Sequence, residues 1–344
     1  MSEHNIKLII ESKIPFVQGL LDSYADVRYL APEEIDANAV SDADGIIIRT
    51  RTQCNASLLE GSRVKFIATA TIGTDHIDAD YCRTRGIKVV NAPGCNAPAV
   101  AQYVFASLLQ VINRPLKSYT IGIVGVGNVG SIVSRWAESF EMKVLRCDPP
   151  RQRTEGGYHW YSLDSIATNA DIITFHTPLS FDGIDKTYHL ADETFFSRLR
   201  RAPIIINCAR GGIANDNALV SARVQGMVSK LIIDCWENEP ELNRELLQLA
   251  DIATPHIAGY SLEGKLRASQ MALNAACEFF KFPKINISET LPPIKAPNVA
   301  KRDIYLSYNP LPESNTLKRH PENFEKIRNS YPLRHETPAG KDPH

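Results

Sequence analysis

With 38 Lys and Arg against 39 Asp and Glu in 344 residues, the chain is close to neutral, which excludes the charge signature of a nucleic-acid or anionic membrane partner. The length suits two domains, no apolar run approaches the ~20 residues a bilayer requires, and the opening MSEHNIKLIIES is too polar for a secretory or transit leader. Seven cysteines, at 54, 82, 95, 147, 208, 235 and 277, form neither a CxxC pair nor a metal-ligand rhythm, so they read as reduced thiols of a cytoplasmic protein with no metal site.

From about residue 5 to 92, short apolar runs alternate with turn and helix signals, at Lys7 to Ile10, Gly45 to Ile48, Val64 to Ala68 and Ile87 to Val90. The pattern predicts a small parallel α/β domain. It has no glycine-rich phosphate turn, so substrate, and not cofactor, is its expected ligand. Two of its strand ends, RTRT at Arg49 to Thr52 and TATIGT at Thr69 to Thr74, concentrate cations and hydroxyls where an open parallel sheet binds ligands, as a phosphate site would. The same residues also fit ordinary surface charges and turn threonines. Next, APGCNAPAVAQYVFASLLQVINRP predicts a long helix with Asn96 as its cap, Pro98 in its first turn and Pro115 ending it.

The stretch YTIGIVGVGNVG, Tyr119 to Gly130, joins an apolar strand to Gly125, Gly127 and Gly130 in GxGxxG spacing. Val129, Ile132, Val133, Trp136, Ala137 and Phe140 then recur at three and four, which makes the next element an amphipathic helix. Glycines permit the tight turn, the approach of a pyrophosphate and close helix packing, and the helix N-terminus favours the anion. A second strand, Met142 to Cys147, ends at Asp148, eighteen residues past Gly130, where a carboxylate suits a ribose diol. It favours NAD over NADP, although Arg151 and Arg153 follow closely in DPPRQR. Further strands at Ile172 to Phe175, Ile204 to Asn207, Lys230 to Ile233 and Asp251 to Ala253 complete a doubly wound sheet of about six strands.

Three successive strand ends carry chemistry: IIINCARGG with Arg210, LIIDCWENEP with Asp234 and Glu239, and DIATPHIAGY with His256. Oxidising a hydroxy acid needs a base for the hydroxyl proton and a cation for the carboxylate. His256 suits the base, Glu239 its orienting carboxylate and Arg210 the cation, while Asp234 suits a contact to a nicotinamide amide. Thr177, in FHTPL, ends a strand near the same cofactor. Each residue alone has an ordinary reading: a loop histidine, a strand-end arginine, a helix-start glutamate. Their joint placement is what points to catalysis.

With GVGNVG, Asp148, NCARGG, DCWENEP and TPHIAG in this order, the chain resembles the NAD-dependent D-2-hydroxyacid dehydrogenases over nearly its whole folded length. The resemblance implies an α/β fold: a Rossmann dinucleotide domain at 95–257, a smaller flavodoxin-like substrate domain at 1–94 completed by a helix at about 258–284, and a C-terminal dimerisation segment at 285–344. It implies Arg210, Glu239 and His256 as catalytic residues. Gly125, Gly127, Asn128, Val129, Gly130, Asp148, Thr177, Cys208, Ala209, Asp234 and Gly259 are the implied NAD site.

Within the family, TATIGTDHID, NAPGCNA, TFHTPLSFDG, TPHIAGYSLEGK and FEKIRNSYPLRHE are similar to members acting on a small phosphorylated 2-hydroxy acid, which implies Arg49, Thr50, Thr71 and Tyr260 as substrate contacts and a homodimer. Other 2-hydroxyacid dehydrogenases, such as those acting on phosphoglycerate, and an NADH-sensing corepressor-like scaffold are the competing readings. Nine of the 21 prolines fall in the last 54 residues, too polar a stretch to build its own core, so Tyr305, Tyr308, Phe324 and Tyr331 are expected to pack on another subunit, with the last ten or so residues disordered.

Overall fold

The computed structural model describes residues 5–155, 159–287 and 307–336. The chain divides into two units, Met1–Asn96 with Leu262–Lys295, and Ala97–Ser261 with Ala296–His344.

The first unit holds five parallel strands, β1 (Lys7–Glu11), β2 (Asp26–Leu30), β3 (Gly45–Ile48), β4 (Phe66–Thr69) and β5 (Lys88–Val90), in the order β2-β1-β3-β4-β5. This is the flavodoxin-like order. The central strands β3 and β4 are wholly buried, which is why they read as unbroken apolar runs: a parallel sheet is covered on both faces. Sequence analysis missed β2. Its DVRYL is an edge strand without a fully buried residue, so it shows no continuous apolar run. The returning helix Leu262–Phe280 packs Ala268, Ala272, Leu273 and Ala276 into the same core as Leu8, Ile10 and Phe66. A Cβ on Gly45 would lie 2.8 Å from the Phe280 ring, so the glycine makes room for that helix.

The second unit holds β6 (Thr120–Val124), β7 (Lys143–Cys147), β8 (Ile172–Phe175), β9 (Ile204–Asn207), β10 (Lys230–Ile233) and β11 (Ile252–Ala253), all parallel, in the order β11-β10-β9-β8-β6-β7. The direction of winding reverses between β6 and β8. The helix Ala97–Val111 buries Tyr103, Val104, Phe105 and Leu108 in the cluster that also holds Ile121, Ile123 and Trp136. Asn96 precedes it, but Asn96 Oδ1 is buried and accepts no hydrogen bond, so the expected side-chain cap does not form.

Two C-terminal helices, Leu311–Arg319 and Phe324–Asn329, belong to this unit. Ser314 Oγ accepts the Ala253 N–H at 2.9 Å, satisfying a donor on the edge strand β11. Leu317 and Phe324 are buried in the cluster that contains Ala250 and Ala253, each contributing on the order of 1.5–3 kcal/mol. Tyr308 packs with its ring centroid 6.0 Å from that of Tyr103, the rings tilted by 36°. The aromatic residues that composition assigned to another subunit thus include two, Tyr308 and Phe324, that fill the core of their own chain. Tyr305 and the end of the chain from 337, where disorder was expected, lie outside the described residues.

Candidate active site

The turn after β6 is closed by its own backbone. Gly125 has φ +86°, and a Cβ there would stand 2.8 Å from the backbone between His176 and Thr177. A Cβ on Gly130 would lie 2.0 Å from the Gly125 carbonyl oxygen. Gly127 differs: no protein atom lies within 4 Å of its hypothetical Cβ, which leaves open space above the start of the helix Asn128–Ser139. That space, at a helix N-terminus and a topological switch point, is the cradle a pyrophosphate requires.

Asp148 follows β7, accepts the Val126 N–H at 2.8 Å and caps the helix Pro149–Thr154 through Arg151 N–H at 3.1 Å. One carboxylate thereby ties the second strand to the glycine turn. Arg151 is paired with Glu155 and Arg153 with Asp185, so a carboxylate engages each cation that would have welcomed a 2′-phosphate. Thr177 Oγ1, just past β8, is buried with no protein partner, a group that a ligand would satisfy. Burial pushes neighbouring His176 down to about 3, and its Nε2 lies 3.0 Å from Thr174 Oγ1, so it is a neutral core histidine. These residues fit a dinucleotide.

Arg210, Glu239 and His256 follow β9, β10 and β11, three neighbours at one side of the sheet. His256 Nδ1 lies 2.8 and 3.1 Å from the Glu239 carboxylate oxygens, and Glu239 Oε1 also accepts the Trp236 N–H at 2.9 Å. Burial alone would raise the Glu239 carboxyl. The charge and hydrogen bond of His256 and the Trp236 N–H outweigh it and hold the group below its ordinary value. With Nδ1 committed to Glu239, Nε2 is the nitrogen left for proton exchange. The histidine sits at φ +57°, a left-handed conformation that costs a non-glycine residue roughly 1–3 kcal/mol and persists only where the surroundings enforce it.

Asp234, fully buried, does part of that enforcing. It accepts Thr254 Oγ1 at 2.6 Å, Ile257 N–H at 2.8 Å and Ala258 N–H at 2.9 Å, and Tyr103 Oη stands 2.5 Å from the same threonine. Burial raises its carboxyl against the pull of His256 and of these donors. Arg210 is placed by Asn207, whose Nδ2 donates to the Arg210 carbonyl at 3.0 Å and whose Oδ1 accepts the Ala209 N–H at 3.2 Å. The next residue must be glycine, since a Cβ on Gly211 would stand 1.8 Å from the Trp236 carbonyl oxygen. Cys208 and Ala209 are buried in this turn and Gly259 is half-buried. Cys235 comes within 4.8 Å of Glu239 and His256, and burial raises its thiol well above its ordinary value.

Tyr260 is half-buried and its hydroxyl accepts from Arg328 Nε at 3.1 Å. In the first unit, Arg49 follows β3 with its N–H on the buried Glu11 carboxylate at 2.8 Å and its guanidinium on the Lys13 carbonyl at 3.2 Å. Thr50 beside it is exposed, and Thr71, past β4, pairs with Thr69 at 2.6 Å.

The NAD-binding domain profile of the D-isomer specific 2-hydroxyacid dehydrogenases matches residues 100–258. Along its length the chain is 49% identical to the erythronate-4-phosphate dehydrogenase of Bacteroides thetaiotaomicron, covering 97% of this chain and 98% of the relative. The chain belongs to the D-isomer specific 2-hydroxyacid dehydrogenase family. A more distant relative, the erythronate-4-phosphate dehydrogenase of Cronobacter sakazakii, is 38% identical over 96% of this chain and 92% of its own. Among solved structures, D-lactate dehydrogenase from Aquifex aeolicus, complexed with NAD and lactic acid, is 26% identical with a TM-score of 0.68, covering 80% of this chain and 95% of that one. Family membership makes the protein an NAD-dependent oxidoreductase acting on a CH–OH group.

Several residues of this dehydrogenase site escaped sequence reasoning. Asn207 and Thr254 lie inside NCARGG and TPHIAG, yet nothing in the motifs separates residues that hold the loops from residues expected to meet ligands. Arg328 and Arg334 sit more than sixty residues beyond the loop they reach, in a segment whose composition suggested no role in catalysis.

Proposed function

We propose that this chain is an erythronate-4-phosphate dehydrogenase: it oxidises the 2-hydroxyl of 4-phospho-D-erythronate to 2-oxo-3-hydroxy-4-phosphobutanoate with NAD, in pyridoxal 5′-phosphate biosynthesis. The observation that carries this reading is the His256–Glu239 pair, set one strand end from Arg210, in a chain 38–49% identical along its length to relatives of that name.

His256 Nε2 takes the proton of the 2-hydroxyl, and Glu239, close at Nδ1, stabilises the imidazolium that forms. Arg210 presents its guanidinium fork to the C1 carboxylate and polarises the C2–O bond. Bound NAD supplies the acceptor for the hydride that leaves C2. The turn Gly125, Gly127, Asn128, Val129 and Gly130 takes the pyrophosphate and Asp148 a ribose. Thr177, Cys208, Ala209 and Gly259 line the cofactor, and Asp234 offers its remaining lone pair to the nicotinamide amide. Arg49, Thr50, Thr71 and Tyr260 are assigned to the substrate on the family resemblance. The same resemblance supports a homodimer, and seven cysteines without a disulfide support a cytoplasmic setting.

The test is single-turnover NADH fluorescence, enzyme in excess, with 4-phosphoerythronate, erythronate, 3-phosphoglycerate and lactate. A signal confined to 4-phosphoerythronate and lost in Arg210→Ala is the expected result. Turnover of phosphoglycerate or lactate instead removes the substrate, and NADH binding without any turnover favours a sensing scaffold.

A further inference from the structure

The loop that follows His256 is held from two sides, and only one side belongs to the sheet. Asp234 takes its N–H groups. Its carbonyls go to Arg334, from the far end of the chain: Nη1 donates to Ile257 O at 3.1 Å and Tyr260 O at 3.0 Å, and Nη2 to Ala258 O. The same guanidinium reaches Ala99 O at 3.0 Å and Gln102 Oε1 at 3.1 Å on the helix Ala97–Val111, and it stacks 4.3 Å from the Tyr308 ring. Around it, Ser261 Oγ donates to the buried Glu336 carboxylate at 2.6 Å, Ser261 forms a bridge with Arg334, and Arg328 donates to the Tyr260 hydroxyl. Every residue from Ile257 to Ser261 except Gly259 therefore has a polar group engaged by residues 328–336.

We infer that Arg334 is a positioning residue of the active site, a brace by which the C-terminal segment fixes the loop that carries His256. The strained φ of His256 needs both holds. Asp234 fixes the N–H side and the Tyr260 N–H engages Ile257 O at 2.9 Å, while Arg334 adds the hold on the Ala258 and Tyr260 carbonyls, and a shift of ~1 Å at the imidazole separates it from a substrate hydroxyl by enough to cost about 100-fold in rate. A planar fork with five donors serves several carbonyls at once, and lysine cannot replace it. The inference rests on the dehydrogenase reading for what the brace achieves, but its geometry stands without it.

The test compares wild type, Arg334→Ala and Arg334→Lys by amide hydrogen exchange and by single-turnover NADH formation from 4-phosphoerythronate. Exchange at the Ile257, Ala258 and Tyr260 amides is expected to rise about tenfold or more in both variants, with the β6 amides unchanged. The hydride step is expected to slow about 100-fold in Arg334→Ala, with NAD affinity kept and part of the rate restored by added guanidinium ion. Wild-type exchange in the loop overturns the brace, and so does a wild-type rate in a folded Arg334→Ala. The exchange readout needs no substrate, so an inactive wild type removes the substrate assignment and leaves the brace to be decided by exchange. Should Arg334→Ala fail to fold, Arg334→Lys carries both readouts and overturns the proposal in the same way.

Discussion

The turn after β6 is shaped by what its residues lack. Gly125 and Gly130 leave out side chains that would collide with backbone 2.8 and 2.0 Å away, and Gly127 leaves out one that would fill open space. The loop after β11 is shaped by what distant residues bring: Asp234 from just past β10, Tyr103 from the helix before the sheet, and Arg334 from 77 residues beyond Ile257. Backbone suffices for the first if its task is the proposed one, to receive a phosphate, which N–H groups at a helix start do anyway. The second must hold one imidazole at φ +57° against Glu239, and that demands side chains on both of its faces.

The largest effect that sharpens this contrast is chemical. His256→Ala removes the proposed base without touching the glycine turn, and a positioned base contributes about 10² to 10⁴ in rate. The hydride step should fall by that range while NAD affinity, followed by fluorescence titration, stays at its wild-type value. If cofactor affinity fell in parallel, the two regions would not be separable as described.

Gly130→Ala attacks the other region. Its Cβ would meet a backbone oxygen that is part of the turn itself, so relief requires the helix to move off the strand. A loss of about 3 kcal/mol or more in urea unfolding is expected, at the upper end of what overpacking costs. A variant as stable as wild type would show that the turn is looser than its geometry says.

The contrast also sets what could be read from sequence. β6, the glycine turn, its helix and Asp148 were legible because their parts are adjacent and each residue type has one local reason to be there. The strands β8, β9 and β10 were legible as short, mostly apolar runs, whereas β2, half-exposed at a sheet edge, was not. Arg210, Glu239 and His256 stood out because each follows a strand, and the structure sets His256 against Glu239 at 2.8 Å. What holds them did not, since Arg334 touching Ile257 has no signature in either stretch. Asn96 shows the converse failure: the sequence offers a fine helix cap, and tertiary placement leaves its oxygen buried and unused.

A smaller effect distinguishes the regions by pH. Glu239 sits below its ordinary value of 4.5 in the folded protein, so it contributes stability that is fully present above that value and lost as pH falls through the folded one. The difference in unfolding free energy between wild type and Glu239→Gln, measured by urea titration at stepped pH from neutrality downward, should therefore shrink as the medium becomes acid. Constancy of that difference would mean that the carboxylate gains nothing from His256 in the fold.

The mildest change is Gly127→Ala, and it isolates the cofactor from the fold. No protein atom lies within 4 Å of the added methyl, but Gly127 combines φ −72° with ψ −146°, outside the regions L-residues favour, so stability should fall by about 1 kcal/mol. The methyl would instead stand where the backbone has to approach the pyrophosphate, and NAD should bind about tenfold more weakly, a loss of about 1.4 kcal/mol. Calorimetric titration with NAD, set beside the urea midpoint, reads both quantities. Tenfold weaker binding with only that small loss of stability is what a cradle defined by open space requires, whereas an unchanged dissociation constant would mean that the phosphates do not pass over Gly127 and that the space above it has another use.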